Sequence, residues 1–201
     1  MFDTLYTFVD TMQTYYPENV YLYYYKALYF LKKQMPQQAL NYIAIGEKYN
    51  VNDFRAKALF YYTRYLAYYL KNNTETTEKY YLLAMNNINR DCYNLAYFIF
   101  INSMLNIDLQ RVGKLSPPCD NYKNYQEIAF MYAFYYYRIS DLVMAEEMIL
   151  KSLKIEPNNP LYNEMAYYIY SKKGDNQKAE KYKNIAQKTG SQFLFLKDEK
   201  L

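Results

Sequence analysis

The chain has 201 residues, a net charge of +4 and 52% apolar residues, a composition that excludes a disordered chain. Four glycines and six prolines are too few for a turn-rich β-sandwich. The absence of histidine excludes a Ser-His-Asp triad and an HExxH zinc site, and isolated glycines cannot form a phosphate-binding loop. We therefore expect an all-α protein that is not an enzyme and that binds neither a metal nor a cofactor.

The start of the chain and its cysteines bear on location. Residues 1–13 contain Asp3 and Asp10 and lack the basic region of a signal peptide, and the apolar runs are about half the length that spans a bilayer. Cys92 and Cys119 lie far apart and form no CxxC pair, so we expect reduced thiols rather than a disulfide or a zinc site. These features predict a cytoplasmic protein with no membrane partner.

Tyrosine is unusually abundant, with 30 residues and no tryptophan. A buried hydroxyl without a partner costs roughly 1–3 kcal/mol, so this many tyrosines favour a thin, two-layer architecture in which rings pack and hydroxyls reach solvent. An AT-rich genome, whose codons favour Tyr, Asn, Lys and Ile, is the alternative explanation.

In chain order, residues 2–17 predict a single helix and residues 20–53 predict a helix pair. Three apolar residues share one face of the first helix, and Pro17 follows it. In the pair, Met35-Pro36 starts the second helix with proline in the first turn. The packing positions of the three helices are Leu5, Val9 and Met12; Tyr23, Ala27 and Phe30; and Ala39, Ile43 and Gly46.

The middle of the chain predicts two less regular pairs. In residues 54–89 the turn at Lys71–Thr74 comes about seven residues late, which predicts a first helix longer by two turns and a second helix over Glu75–Ile88. Residues 91–125 predict a helix over Asp91–Asn106, then a short helix and a loop over Asp108–Asp120.

The last third of the chain repeats with a period of about 34 residues, because the pattern of small and bulky residues that begins at Ala145 begins again at Ala179. Asn159 is expected to cap a helix whose first residue is Pro160, and Gly174-Asp175 to form the turn inside that pair. The repeats are 126–159 and 160–193, and we expect the tail 194–201 to fold back over the last repeat.

With these residues the chain resembles the tetratricopeptide repeat family, which has the same period, small residues in both helices and a proline where Pro157 stands. The resemblance implies a single domain over residues 1–201, an α-solenoid of about four to five antiparallel helix pairs in a right-handed superhelix with a degenerate middle. The related pentatricopeptide RNA binders have a more basic groove and lack the proline ending, so we do not expect nucleic acid as the partner.

In this family the first helices line a concave groove that holds a partner segment. The resemblance carries the groove to ten residues, which are mostly aromatic and apolar: Tyr21, Tyr24, Leu28, Glu127, Phe130, Phe134, Tyr137, Leu161, Glu164 and Tyr168. Packing between helices is the alternative role for each ring. The lysine and asparagine of the family's carboxylate clamp are missing, so a chaperone co-factor of that type is not expected.

The function expected from the resemblance is a non-catalytic scaffold that binds a protein or peptide in an aromatic groove. The alternative is the peptide-sensing domain of a bacterial transcription regulator whose DNA-binding part lies outside this chain. A lysine-rich run over residues 171–188 is either a solvated end cap or a contact for an acidic partner.

Overall fold

A computed structural model describes residues 2–49, 53–87, 92–115 and 125–192. Every regular element in these ranges is helical, which confirms the predicted all-α class. The chain divides into two compact units, Met1–Arg90 and Asp91–Leu201, and each is described by itself. None of the helices in the described ranges has the length and apolar character that crossing a membrane requires.

The first unit contains five helices among its described residues: α1 (Phe2–Tyr15), α2 (Val20–Lys32), α3 (Pro36–Gly46), α4 (Phe54–Leu70) and α5 (Thr74–Asn87). Helix α2 pairs with α3, and α4 pairs with α5, across short turns that make each pair antiparallel. Helix α4 also packs on both α2 and α3, while α1 packs on α2. Neighbouring pairs therefore stack on one another within this unit.

The second unit is built in the same way. Its described helices are α6 (Cys92–Leu105), α7 (Leu109–Val112), α8 (Tyr125–Arg138), α9 (Leu142–Ile155), α10 (Pro160–Lys173) and α11 (Asn176–Lys188). Helices α8 and α9 form one pair, α10 and α11 the next, and α10 packs on both α8 and α9. The short helix predicted over Asp108–Asp120 is α7 with a 3-10 turn, and residues 116–120 of that stretch lie outside the described ranges.

One backbone turn closes every helix pair. A residue with positive φ follows the first helix, and the next N–H donates to the carbonyl oxygen five residues back at 2.9–3.1 Å, a Schellman motif. Five residues adopt this conformation, and the last four of them are separated along the chain by the repeat period that the sequence predicts. The positive-φ residues are Gln34 (59°), Asn72 (55°), Asn106 (58°), Ser140 (63°) and Gly174 (78°).

Small residues on the second helices are buried at two equivalent positions, as the sequence pattern predicts. The buried residues are Ala39, Thr77, Ala145 and Ala179 at the first position, and Gly46, Ala84, Ser152 and Ala186 at the second. The space at the second position is tight, because a Cβ on Gly46 would lie 2.9 Å from atoms of both Tyr23 and Phe60. These small residues let neighbouring helices approach closely.

The predicted caps of α10 are confirmed. The Asn159 side chain accepts hydrogen bonds from the N–H groups of Leu161 (3.0 Å) and Tyr162 (3.3 Å), and Pro160 opens the helix. Gly174 adopts the left-handed conformation at the other end, and the Asp175 side chain then caps α11 by accepting from Lys178 N–H at 3.1 Å.

The sequence analysis predicted that the first helix of residues 54–89 is two turns longer than the first helix of a regular pair. This prediction is wrong. Helix α4 has 17 residues against 13 in α2, and the distance along the chain from Gln34 to Asn72 exceeds the period by the same amount. The difference is about one helical turn, so the packing faces stay in register. The left-handed residue, rather than the surrounding polar run, sets the position of the turn.

The expectation of reduced thiols is also wrong for Cys92, the first residue of α6, which is disulfide-bonded. Cys119, the other cysteine of the chain, lies outside the described residues. Separation along the sequence was the basis of the expectation, and it does not report distance in the fold.

Replacing Gln34 with glycine should raise the free energy of unfolding by about 1 kcal/mol, because a left-handed backbone is strained by a Cβ atom and glycine relieves the strain. Urea denaturation of the purified protein measures the change.

The reciprocal variant Gly174→Gln is the matched control. A Cβ at Gly174 would meet no atom within 4 Å, so its effect reports the backbone alone, and stability should fall by about 1 kcal/mol. Equal stability of both variants and the wild type would show that the turn is not a point of strain.

Candidate binding surface

The predicted groove residues of the second unit lie on α8 and α10, and most are buried. Phe134 is 1% exposed, Glu164 is 2% exposed, and Phe130, Tyr137 and Tyr168 are also buried. Near the starts of the two helices, the side chains remain accessible: Glu127 is half-buried, and Leu161, at the equivalent repeat position, is 45% exposed.

In the first unit the predicted groove residues lie on α2 and follow the same gradient. Tyr24 and Leu28 are buried, whereas Tyr21, near the start of the helix, is half-buried. The Tyr21 hydroxyl donates to the Asp53 carboxylate, which also caps α4 by accepting from Arg55 N–H at 2.8 Å. Burial, and then the bond to Asp53, raise the pKa of Tyr21 to about 12, so this hydroxyl stays protonated near neutral pH.

An aromatic cluster lies behind the accessible edge of the second unit. The Phe100 ring of α6 lies 5.9 Å from Phe130 and 5.6 Å from Phe134, and Phe130 lies 5.3 Å from Tyr162 of α10. The Arg138 guanidinium stands 5.2 Å from the Phe134 ring centroid. The low exposure of Phe134 and its contacts with the Phe100 ring and the Arg138 guanidinium place this side chain in the core of the unit.

Ring pairs recur at equivalent positions inside three of the helix pairs. One ring lies four residues before the left-handed residue and the other lies eight after it, at interplanar angles of 6–12°. The pairs are Phe30–Tyr42 (5.2 Å), Tyr68–Tyr80 (5.5 Å) and Tyr170–Tyr182 (5.4 Å). The sequence analysis did not identify these ring pairs. The signal that could have found them is two aromatic residues at this fixed separation on either side of a turn.

A cation lies over one ring of each of these pairs. The distances to the ring centroid are 5.4 Å for Lys26 over Tyr42, 5.5 Å for Arg64 over Tyr80 and 4.8 Å for Lys178 over Tyr170. Each cation also contacts a carboxylate: Asp10 for Lys26, Glu47 for Arg64, and Glu146 for Lys178. These charges are therefore engaged in contacts within the chain.

The lysine-rich run at the end of the second unit is also engaged internally. The Lys172 ammonium lies 4.7 Å from the Tyr137 ring centroid, and Lys173 pairs with Glu146. Further along, Lys183 pairs with Glu180 at 3.5 Å, and Lys181 lies 5.5 Å from the Tyr182 ring centroid. Such contacts agree with a solvated end cap.

The adjacent carboxylates of α9, Glu146 and Glu147, pair with lysines. Lys173, and then the Tyr170 hydroxyl at 2.7 Å, hold the pKa of Glu146 below its usual value, while Glu147 pairs with Lys151 at 2.8 Å. A general acid at neutral pH needs a raised pKa instead. Within the described ranges, no cluster of three or more Cys, Asp or Glu side chains is placed to hold a metal ion.

The chain matches no protein-family model, no curated protein and no solved structure in the comparisons made. The resemblance to the tetratricopeptide repeat family therefore rests on the sequence pattern alone.

Replacing Phe134 with alanine should lower the free energy of unfolding by about 3–5 kcal/mol, because the substitution leaves a cavity beside Phe100. Chemical denaturation measures the loss.

Leu161→Ala is the matched control on the same face. Because Leu161 is 45% exposed, its truncation should change stability by no more than about 0.5 kcal/mol. A Phe134→Ala protein as stable as the Leu161→Ala protein would contradict the assignment of Phe134 to the core.

Proposed function

We propose that the chain is a non-catalytic scaffold of stacked helix pairs that binds a protein or peptide segment. The observation that carries the proposal is the left-handed turn that recurs at a constant period from Asn72 to Gly174, together with the buried small residues of the second helices. Repeated pairs of this kind stack into solenoids with extended binding surfaces. A tetratricopeptide-like solenoid is the arrangement that we propose.

The binding surface that we propose lies within the second unit, at the accessible edge of α8 and α10 where Glu127 and Leu161 stand; Tyr21 holds the matching position on α2 of the first unit. Leu161 offers an apolar contact, and the buried aromatic cluster behind it gives this edge a rigid support. A rigid backing reduces the entropy lost on binding, because few side chains remain to be ordered. The deeper rings of the predicted groove then act by supporting the surface.

The charges fit a protein or peptide better than a nucleic acid. Lys26, Arg64, Lys173 and Lys178 are held by carboxylates of the same chain, so they are compensated before any partner arrives. Nucleic-acid binding depends on cations that neutralise phosphates. We accordingly propose neither a nucleic-acid nor a membrane partner, and neither a metal nor a cofactor.

A peptide-display selection on the immobilised protein tests the proposed function. Enriched peptides should bind at micromolar strength, about −8 kcal/mol, and Leu161→Asp should weaken them at least tenfold, or about 1.4 kcal/mol, by placing a charge in an apolar contact. Isothermal calorimetry on each variant measures the change. If the chain is instead the peptide-sensing domain of a transcription regulator, the same surface would bind the peptide. The selection therefore tests that alternative equally.

The matched control is Val143→Asp on α9, whose side chain is 72% exposed and belongs to a second helix. Peptides should bind this variant as they bind the wild type. Selected peptides that tolerate Leu161→Asp but lose affinity for Val143→Asp would move the site to the second helices, and a selection without enrichment would contradict the scaffold itself.

A further inference from the structure

The Glu156 carboxylate lies between the starts of α8 and α10. It accepts hydrogen bonds from the side-chain amide of Gln126, in the first turn of α8, at 3.2 Å and from that of Asn159, which caps α10, at 2.8 Å. Glu127 follows Gln126 along the chain, and Leu161 stands two residues after Asn159. The two bonds therefore hold a second carboxylate beside the residues of the proposed binding surface.

No cation compensates these two carboxylates in the part of the chain that the structure describes. Glu156 takes its hydrogen bonds from uncharged amides, and neither Glu156 nor Glu127 forms an ion pair within the described ranges. Glu146 and Glu147 of α9, by contrast, pair with lysines. A carboxylate offers about four acceptor sites, and both Glu127 and Glu156 are only half-buried, so donors of a partner can reach them.

Both charges act on one buried hydroxyl of α10. The Tyr162 side chain is 4% exposed, and its ring lies 5.3 Å from Phe130 in the aromatic cluster behind the surface. Burial, and then the charges of Glu156 and Glu127, raise the pKa of Tyr162, so its hydroxyl stays uncharged near neutral pH. The fields of the two carboxylates therefore overlap at this edge, beside a buried apolar cluster that screens them less than water does.

Carboxylates near helix starts have a second role, because they interact favourably with the positive end of the helix dipole. Glu127 stands in the first turn of α8, where this effect operates. A purely structural role predicts an effect on stability and none on the choice of partner. The two roles can therefore be separated by experiment.

We propose that the partner segment is basic: a peptide in which a lysine or arginine neighbours an apolar residue. The apolar side chain packs on Leu161, and the cation lies against Glu127 and Glu156. Charge complementarity identifies this occupant, because an acidic segment would bring like charges together at the two uncompensated carboxylates. This inference rests on the proposed function and adds to it the chemistry of the partner.

The composition of the peptides enriched by display gives the first test. They should carry an excess of lysine and arginine over aspartate and glutamate relative to the unselected library. The net charge of the chain, +4, would by itself favour acidic peptides, so a basic excess reports the local surface rather than the whole protein.

The outcomes of this selection separate the two proposals. Enriched peptides that bind Leu161→Ala more weakly but show no basic excess overturn this inference and leave the proposed function standing. A selection without enrichment overturns both.

A double-mutant cycle on one enriched peptide gives the sharper test. Calorimetry compares the peptide, and a second version with its lysines and arginines replaced by glutamine, on the wild type and on the Glu127→Gln/Glu156→Gln protein. Glutamine keeps an acceptor for the Gln126 and Asn159 amides. The double variant should bind the original peptide about tenfold more weakly, while the glutamine version binds both proteins equally. An equal loss for the two peptides would show a structural role and overturn the inference.

The matched control is Glu147→Gln/Glu180→Gln, which removes the same two charges from the second helices α9 and α11. Both of these carboxylates pair with lysines of their own helix. This variant should bind the original peptide as the wild type does. A tenfold loss here as well would assign the effect to net charge and overturn the inference.

Discussion

The left-handed residue at the end of each first helix is the constraint on which the rest of the structure depends. It reverses the chain in a fixed geometry, so that residues four before and eight after it meet across the pair. The same geometry turns the alanine-like positions of the second helix toward its neighbours, where Ala145 and Ala179 are buried. Five described turns share this conformation, so the same local backbone turn sets the packing of helix pairs within each unit.

The abundance of tyrosine follows from this packing rather than from a solvent-exposed groove. Rings stack inside the pairs, and the buried hydroxyls of two tyrosines have partners within the chain: Tyr170 donates to Glu146 at 2.7 Å and Tyr23 to the Pro17 carbonyl at 2.7 Å. A satisfied hydroxyl removes the penalty that argued for a thin architecture. Tyrosine thus buries an apolar ring while its hydroxyl forms a hydrogen bond. In the proposed function, a few accessible side chains near the helix starts remain available to bind a partner.

The sequence predicted those features that depend on neighbouring residues. Asn159, Pro160 and Gly174 act through local backbone geometry, and their roles were readable from their order. The burial of Phe134 was not readable, because helical periodicity assigns it a face while Phe100, remote in sequence, covers that face.

Removal of one complete period tests the equivalence of the repeats most directly. Deleting 143–176 joins Leu142 to Gln177 within one helix, so that α8 and its turn pair with α11 and Ala179 takes the first small-residue position. A matched deletion of 143–178 turns the small-residue face of this helix by about 200°, because each residue rotates a helix by about 100°. In thermal melting followed by circular dichroism, we expect the second variant to melt at least about 5 °C below the first. Equal melting temperatures for the two deletions would contradict the repeat.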